Sequence, residues 1–402
     1  MIRKYGSAMS TTNTHSNPLL RAWYDKDTRS VIIQVFAMAV ILAFFYYVIN
    51  NAIINMSNLG KDISFSFLWQ PASYDINQHL IEYDSRSSHF TALLVGLINT
   101  LIIAAAGIVL ATILGFILGV MRLSNNWLTQ KIAYVYIEFV RNVPVLLHIL
   151  LIHGFIIYSL PRPKQSINMG DTFFLNNRGL QSPSADFQPM FWGVFLAVVI
   201  GVAFAIWFKR YAQRVQDTTG KVYPVLLISV VAIVVVPWVI YFLLGSPIEW
   251  EIPALKGFNY KGGMVIRPEF IALWLALSFY TAAFIGENVR AGIIAVSHGQ
   301  SEAAHALGIS KGRTLRLVVI PQALRVIIPP LNSQYLNLAK NSSLAIAIGY
   351  MDVVATIGGI SLNQTGREME CMLIVMGIYL VLSLIISSVM NWFNDRIRLV
   401  ER

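Results

Sequence analysis

The chain has 402 residues, 56% of them hydrophobic and only 12% charged, with a mean hydropathy of +0.61. Soluble domains carry about 25% charged residues, so a water-soluble enzyme is excluded, and a single cysteine, Cys371, excludes an internal disulfide or a cysteine metal cluster. The net charge of +10 does not call for nucleic acid, because in so apolar a chain the placement of cations matters more than their sum.

In chain order, residues 1–30 are polar and read as a cytoplasmic N-terminal segment. The apolar run after them lacks a small-residue cleavage site, which favours a retained helix over a removed leader. Eight apolar runs are long enough to cross a bilayer: 31–50, 90–121, 136–160, 191–208, 225–245, 269–287, 336–357 and 372–392. The expected fold is an all-α polytopic membrane protein. Its parts are a first helix with an external segment (31–89), a core in two pieces (90–160 and 269–402), and an insertion of external loops and two helices (161–268).

Positive charge orients these helices. With the N-terminus inside, the cytoplasmic segments hold 19 Lys and Arg and the external ones 9, leaving Arg141 and Lys340 within spans. Both termini are then expected inside a cytoplasmic membrane. The stretch EAAHALGISKGRTLRLVVIPQA, residues 302–323, falls on the cytoplasmic side. Ser301 is the expected cap of a short helix over Glu302, Ala303 and Ala304. Gly308 is its left-handed stop, Ser310 the cap of a second helix, and Pro321 a break or kink. From pattern alone, a basic amphipathic helix lying on anionic lipid is one open reading.

The segment ENVRAGIIAVSHGQSEAAHALGISKGRTLRLVVIPQALRVIIPP, from Glu287, resembles the EAA signature of binding-protein-dependent ABC importer permeases. GQSEAAHALG and IPQALR resemble the polar-amino-acid branch, and the likeness extends over 90–160 and 269–402. The length resembles the larger permeases of general L-amino-acid systems. The resemblance implies a type I importer permease core with an inserted helix pair. It also implies a coupling loop at about 297–323 (Glu302, Ala303, Ala304, Gly308, Pro321) that docks on a cytoplasmic ATPase dimer. The other implied partners are a second permease as heterodimer, a periplasmic amino-acid-binding protein and membrane lipid. No cofactor is expected on this chain; ATP and Mg belong to the ATPase, and Gly220–Val222 (GKV) lacks the glycine and hydroxyl residues of a phosphate-binding loop.

Ionisable groups at membrane depth are functional candidates, because burying them is costly. Glu138 and Arg141 are three apart and can pair along one helix face; Arg141-Asn142-Val143-Pro144 resembles a family site, with Pro144 expected to kink the helix. A structural ion pair and a substrate role both remain open. Lys340, followed by Asn341, Ser342 and Ser343, supplies one cation and several neutral hydrogen-bonding groups for an amino acid. Asn341 stands where relatives often carry an acid, which favours broad, neutral or acidic substrates over cationic ones. The alternatives for Lys340 are a snorkelling position or a pair with Glu287. Gly107, Gly115 and Gly119 form a small-residue stripe suited to close helix packing, within the subunit in preference to between two subunits. An ion-gradient-driven secondary transporter is the competing class; it needs coupling acids and commonly inverted repeats, and neither is evident.

Overall fold

The computed structural model describes residues 26–58, 60 and 62–397, so most of the polar 1–30 segment lies outside the described residues. Two units are present, one up to Phe65 and one from Ser66 onward. The first consists of α1 (Lys26–Asn58), none of whose residues is buried. At 1.5 Å per residue it is about 50 Å long, and it is apolar all round, as a lipid-facing span should be.

The second unit is built on α2 (His89–Arg122) and α7 (Pro268–Ile294). Ser88 caps α2, its hydroxyl accepting from the Thr91 amide at 3.2 Å. The helices approach closely because α2 presents glycine at the contact. A Cβ at Gly115 would meet the Ile285 side chain and, at 3.1 Å, the Ala282 carbonyl; one at Gly119 would meet Val289 and, at 2.8 Å, the Gly286 carbonyl. The stripe thus packs within the subunit, and the core of Ile103, Ala111, Leu273, Leu277 and Leu338 closes around it.

The expected span 136–160 is two helices, α3 (Trp127–Asn142) and α4 (Val145–Ser159), bent by 107°. Proline disfavours helical backbone in the residue before it, and Val143 is extended (φ −107°, ψ 133°) ahead of Pro144. The Asn142 side-chain Nδ2 donates to the Glu138 carbonyl at 2.7 Å and satisfies part of the exposed helix end. Counting this pair as one, eight spans are present among the described residues.

The insertion holds more order than loops. Strands β1 (Ile167–Met169), β2 (Phe173–Asn176) and β3 (Gly179–Ser182) form a four-stranded antiparallel sheet with β8 (Met264–Ile266). Next, β4 (Ser184–Phe187) pairs with β5 (Ile248–Glu251), and β6 (Ala254–Lys256) with β7 (Asn259–Lys261). Between β4 and β5 the chain runs through α5 (Phe191–Thr219) and α6 (Val225–Leu243), which pack on each other. α5 continues helically past the expected end at residue 208, through most of the charged stretch that follows, ending at Gly220 with φ +74°.

After α7 come a short helix α8 (His298–Ala306) and a long one, α9 (Lys311–Ile348), whose last turns over Ser342–Ile348 are 3₁₀. The seventh span therefore starts well before residue 336, and the expected break at Pro321 does not occur. Proline has no N–H and its ring crowds the carbonyl four residues back; a π-turn over Leu315–Val319 widens the helix just ahead of Pro321. The same device precedes Pro237, with a π-turn over Val231–Val235. A π-turn over Val354–Ser361 and a helical turn at Leu362–Thr365 then lead to α10 (Glu368–Ile397).

Candidate functional site

Two faces of the second unit carry the candidate residues: a loop side with α8, and a strand side with β1–β8. On the loop side, α7 ends at Ala295, and Ser297, extended at φ −62° and ψ 138°, is the cap position of α8. Ser301, the expected cap, lies inside the helix. At the other end the chain turns back through a Schellman arrangement: the Gly308 amide donates to the His305 carbonyl at 2.9 Å and the Ile309 amide to the Ala304 carbonyl at 3.1 Å. Gly308 has φ +75°, the left-handed conformation that glycine adopts without a Cβ penalty. Ser310, extended, precedes α9 as expected.

This geometry divides the EAA residues. Ala304 is only 5% exposed and is the residue of α8 that faces the fold. Glu302 and Ala303 are exposed, and Leu307 at the tip is 80% exposed. The Gln322 amide reaches Gln300 at 3.3 Å, tying α8 to the first turns of α9 beside Pro321. The result is a short, braced helix with an outward edge of one acid, one small residue and one large apolar residue. Sequence reasoning missed Ser297, Gln300 and Leu307; the Ser297-to-Gln300 spacing was the available signal.

Just above the loop, Glu287 joins three elements. It accepts from Arg290 Nε at 2.9 and 3.0 Å and lies 4.0 Å from Arg122 at the end of α2. Arg122 also sits 4.5 Å from the Tyr134 ring centroid on α3. Glu287 is therefore engaged by arginines, and no ion pair with Lys340 forms among the described residues. Nor do Glu138 and Arg141 pair: the Arg141 guanidinium lies 5.4 Å from the Phe284 ring centroid instead.

Lys340 is exposed near the strand-side end of α9, and Asn341 is half-buried. Ser342 is fully buried, donating to the Ala339 carbonyl at 2.7 Å and lying 3.4 Å from the Tyr379 hydroxyl. Ser343 donates to the Lys340 carbonyl at 2.7 Å. The two hydroxyls are thus committed within the fold, leaving Lys340 and Asn341 as the open polar groups of this run.

Beyond α9, outside the spans, lies a buried acid the sequence reading passed over. Asp352 is fully buried; its Oδ1 accepts from the Ala355 amide at 2.8 Å and its Oδ2 from the Tyr379 hydroxyl at 3.2 Å. Burial pushes its carboxyl up to about 6, against the pull of those hydrogen bonds. Around it, Asn99 donates to the Met351 carbonyl at 2.9 Å and Thr100 accepts from the Val353 amide at 3.2 Å. The available signal was its isolation: Asp352 is the one charged residue between Lys340 and Arg367.

Residues 193–399 match the family described as the binding-protein-dependent transport system inner membrane component. The chain belongs to this family. The matched range begins within α5 and extends through α6 to the end of α10. Over its length the chain is 44% identical to the general L-amino acid transport system permease protein AapQ of Rhizobium johnstonii, covering 98% of this chain and 99% of that one. It is also 44% identical to the glutamate/glutamine/aspartate/asparagine transport system permease protein BztB of Rhodobacter capsulatus, covering 94% and 96%. Among solved structures, an amino acid ABC transporter with histidines aligns over 77% of this chain and 95% of that one, at 21% identity and a TM-score of 0.45. As a member of this family the chain is a multi-span permease, and ATP hydrolysis belongs to separate subunits.

Proposed function

We propose that the chain is the larger permease of an ATP-driven importer for L-amino acids of broad range, neutral and acidic. Full-length likeness to AapQ and BztB supports that substrate class. The loop side is cytoplasmic, as the excess of cations in those segments argues, and both termini lie there. The strand side faces a solute-binding protein. One observation carries the mechanism: α8, ended by Gly308 and braced by Gln322, presents Glu302, Ala303 and Leu307 outward. This edge docks in a groove of the ATPase dimer, which uses ATP and Mg. Because α8 is held between α7 and α9, ATPase movement is passed directly to two spans. A second permease of the same family completes the pathway, with Lys340 and Asn341 as candidate contacts for the amino-acid carboxylate.

The test is affinity purification of the tagged chain in mild detergent, followed by ATP hydrolysis with binding protein and amino acid added. An ATPase and a second permease that co-purify, with stimulated turnover, are the expected result. A lone chain that moves amino acid in proteoliposomes under an ion gradient overturns the proposal.

A further inference from the structure

On the strand side, the turn from Leu160 to Gln165, Arg178 in the β2–β3 turn and Phe258 in the β6–β7 turn enclose a cavity of about 750 Å³. Arg162, Lys164 and Arg178 border it, and no carboxylate does. Among the described residues none of the three makes an ion pair. Their backbones are firmly held. Asn176, fully buried, donates to Ser166 Oγ at 3.0 Å and accepts from the Arg178 amide at 2.8 Å; Ser166 Oγ donates to the Pro163 carbonyl at 2.7 Å. The Phe174 ring stacks on Tyr260 with centroids 4.8 Å apart, fixing the β6–β7 hairpin over the same turn. Lys164 Nζ stands 4.4 Å from the centroid of Phe258, a ring that is 77% exposed.

Three like charges around one rigid cavity repel one another, and an anionic partner relieves that cost. We propose that this pocket receives an acidic surface segment of the solute-binding protein, an inference that rests on the importer reading above. A free amino acid fits poorly, because its ammonium group would face three cations with no acid to hold it. Arginine beside an exposed aromatic ring is also the composition of a protein-interface hot spot.

The test uses the complete importer in nanodiscs of zwitterionic lipid and measures its affinity for amino-acid-loaded binding protein across a salt series. For the triple variant R162Q/K164Q/R178Q the expected apparent Kd rises about tenfold or more at low salt. Its salt dependence flattens, its thermal stability is kept, and ATPase stimulation is recovered at saturating binding protein. The charge-conserving variant R162K/K164R/R178K keeps the unvaried affinity. Stimulation of the unvaried importer reports on the importer reading by itself; stimulation there with an unchanged Kd and salt slope in the triple variant overturns the pocket alone. In a parallel set of discs that contain anionic phospholipid, loss of bound anionic lipid in the triple variant, with binding-protein affinity intact, overturns it in favour of a lipid headgroup.

Discussion

α7 and α6 are both apolar spans, yet 56% of an apolar 18-residue stretch of α7 is buried against 6% of that of α6, the more apolar of the two. Lipid solvates apolar side chains as well as protein does, so apolarity alone does not drive a helix into the core. What α7 buries is largely small: Ala272, Ala276, Ala282, Ala283 and Gly286, with Ser278 and Thr281 among them. The helix of small residues is the hub, and the greasier helix stands at the edge.

Overpacking the hub should break this contrast most severely. Gly119→Val is expected to cost about 3 kcal/mol, since its Cβ would meet the Gly286 carbonyl backbone as well as Val289. Gly154→Ala in α4, where nothing lies within 4 Å, should gain up to about 1 kcal/mol from helix propensity. Thermal melts in one detergent compare them, and matching melting temperatures would end the argument for a packed seam. Next in size is Gly308→Val, which meets no neighbour but forces a β-branched residue to φ +75°, at a cost of about 1–3 kcal/mol. That strain is confined to the loop. The melt should fall less than for Gly119→Val while the ATPase is lost on co-purification; full retention of ATPase and uptake would show that α8 is not the contact.

Smaller still, Lys340→Met should lower uptake severalfold with assembly intact, because Lys340 is exposed and makes no ion pair among the described residues. Unchanged uptake kinetics would assign it to the lipid interface. Smallest is Asp352→Asn, read as a pH profile. Folding raises the Asp352 carboxyl from 3.8 to about 6, so in that window the folded state holds a proton the unfolded chain has released. Its contribution to stability is full below the lower value and declines as pH rises toward the upper one. The advantage of the Asn variant in melting temperature should therefore grow from pH 4 to 6, and a constant offset would count against a buried, proton-binding Asp352.

Apolar runs made the spans legible, and spacing alone placed the Gly107, Gly115 and Gly119 seam and the Gly308 stop. What was hidden depends on neighbours. Strands of three or four residues, such as Ile167–Met169, are too short to show alternation. Pro321 reads as a breaker until a π-turn accommodates it, and Pro144 gave a kink but not the 107° angle. In the candidate site the coupling residues could be named, while their division into buried Ala304 and exposed Glu302, Ala303 and Leu307 came from packing on α9. Glu138 and Arg141 had suitable spacing, but Phe284 offered the guanidinium an aromatic face on the neighbouring helix.

The register of β3 on β8 pairs Ser182 directly with Met264. The chain therefore leaves for α5 and returns from α6 at points one strand spacing apart, about 5 Å. Such a stem works as a splice point: everything between can be exchanged for a tight turn, and α4 and α7 keep their path. Modularity of this kind lets evolution, or an engineer, change the outer helical pair while the seam of α2 on α7 stays untouched.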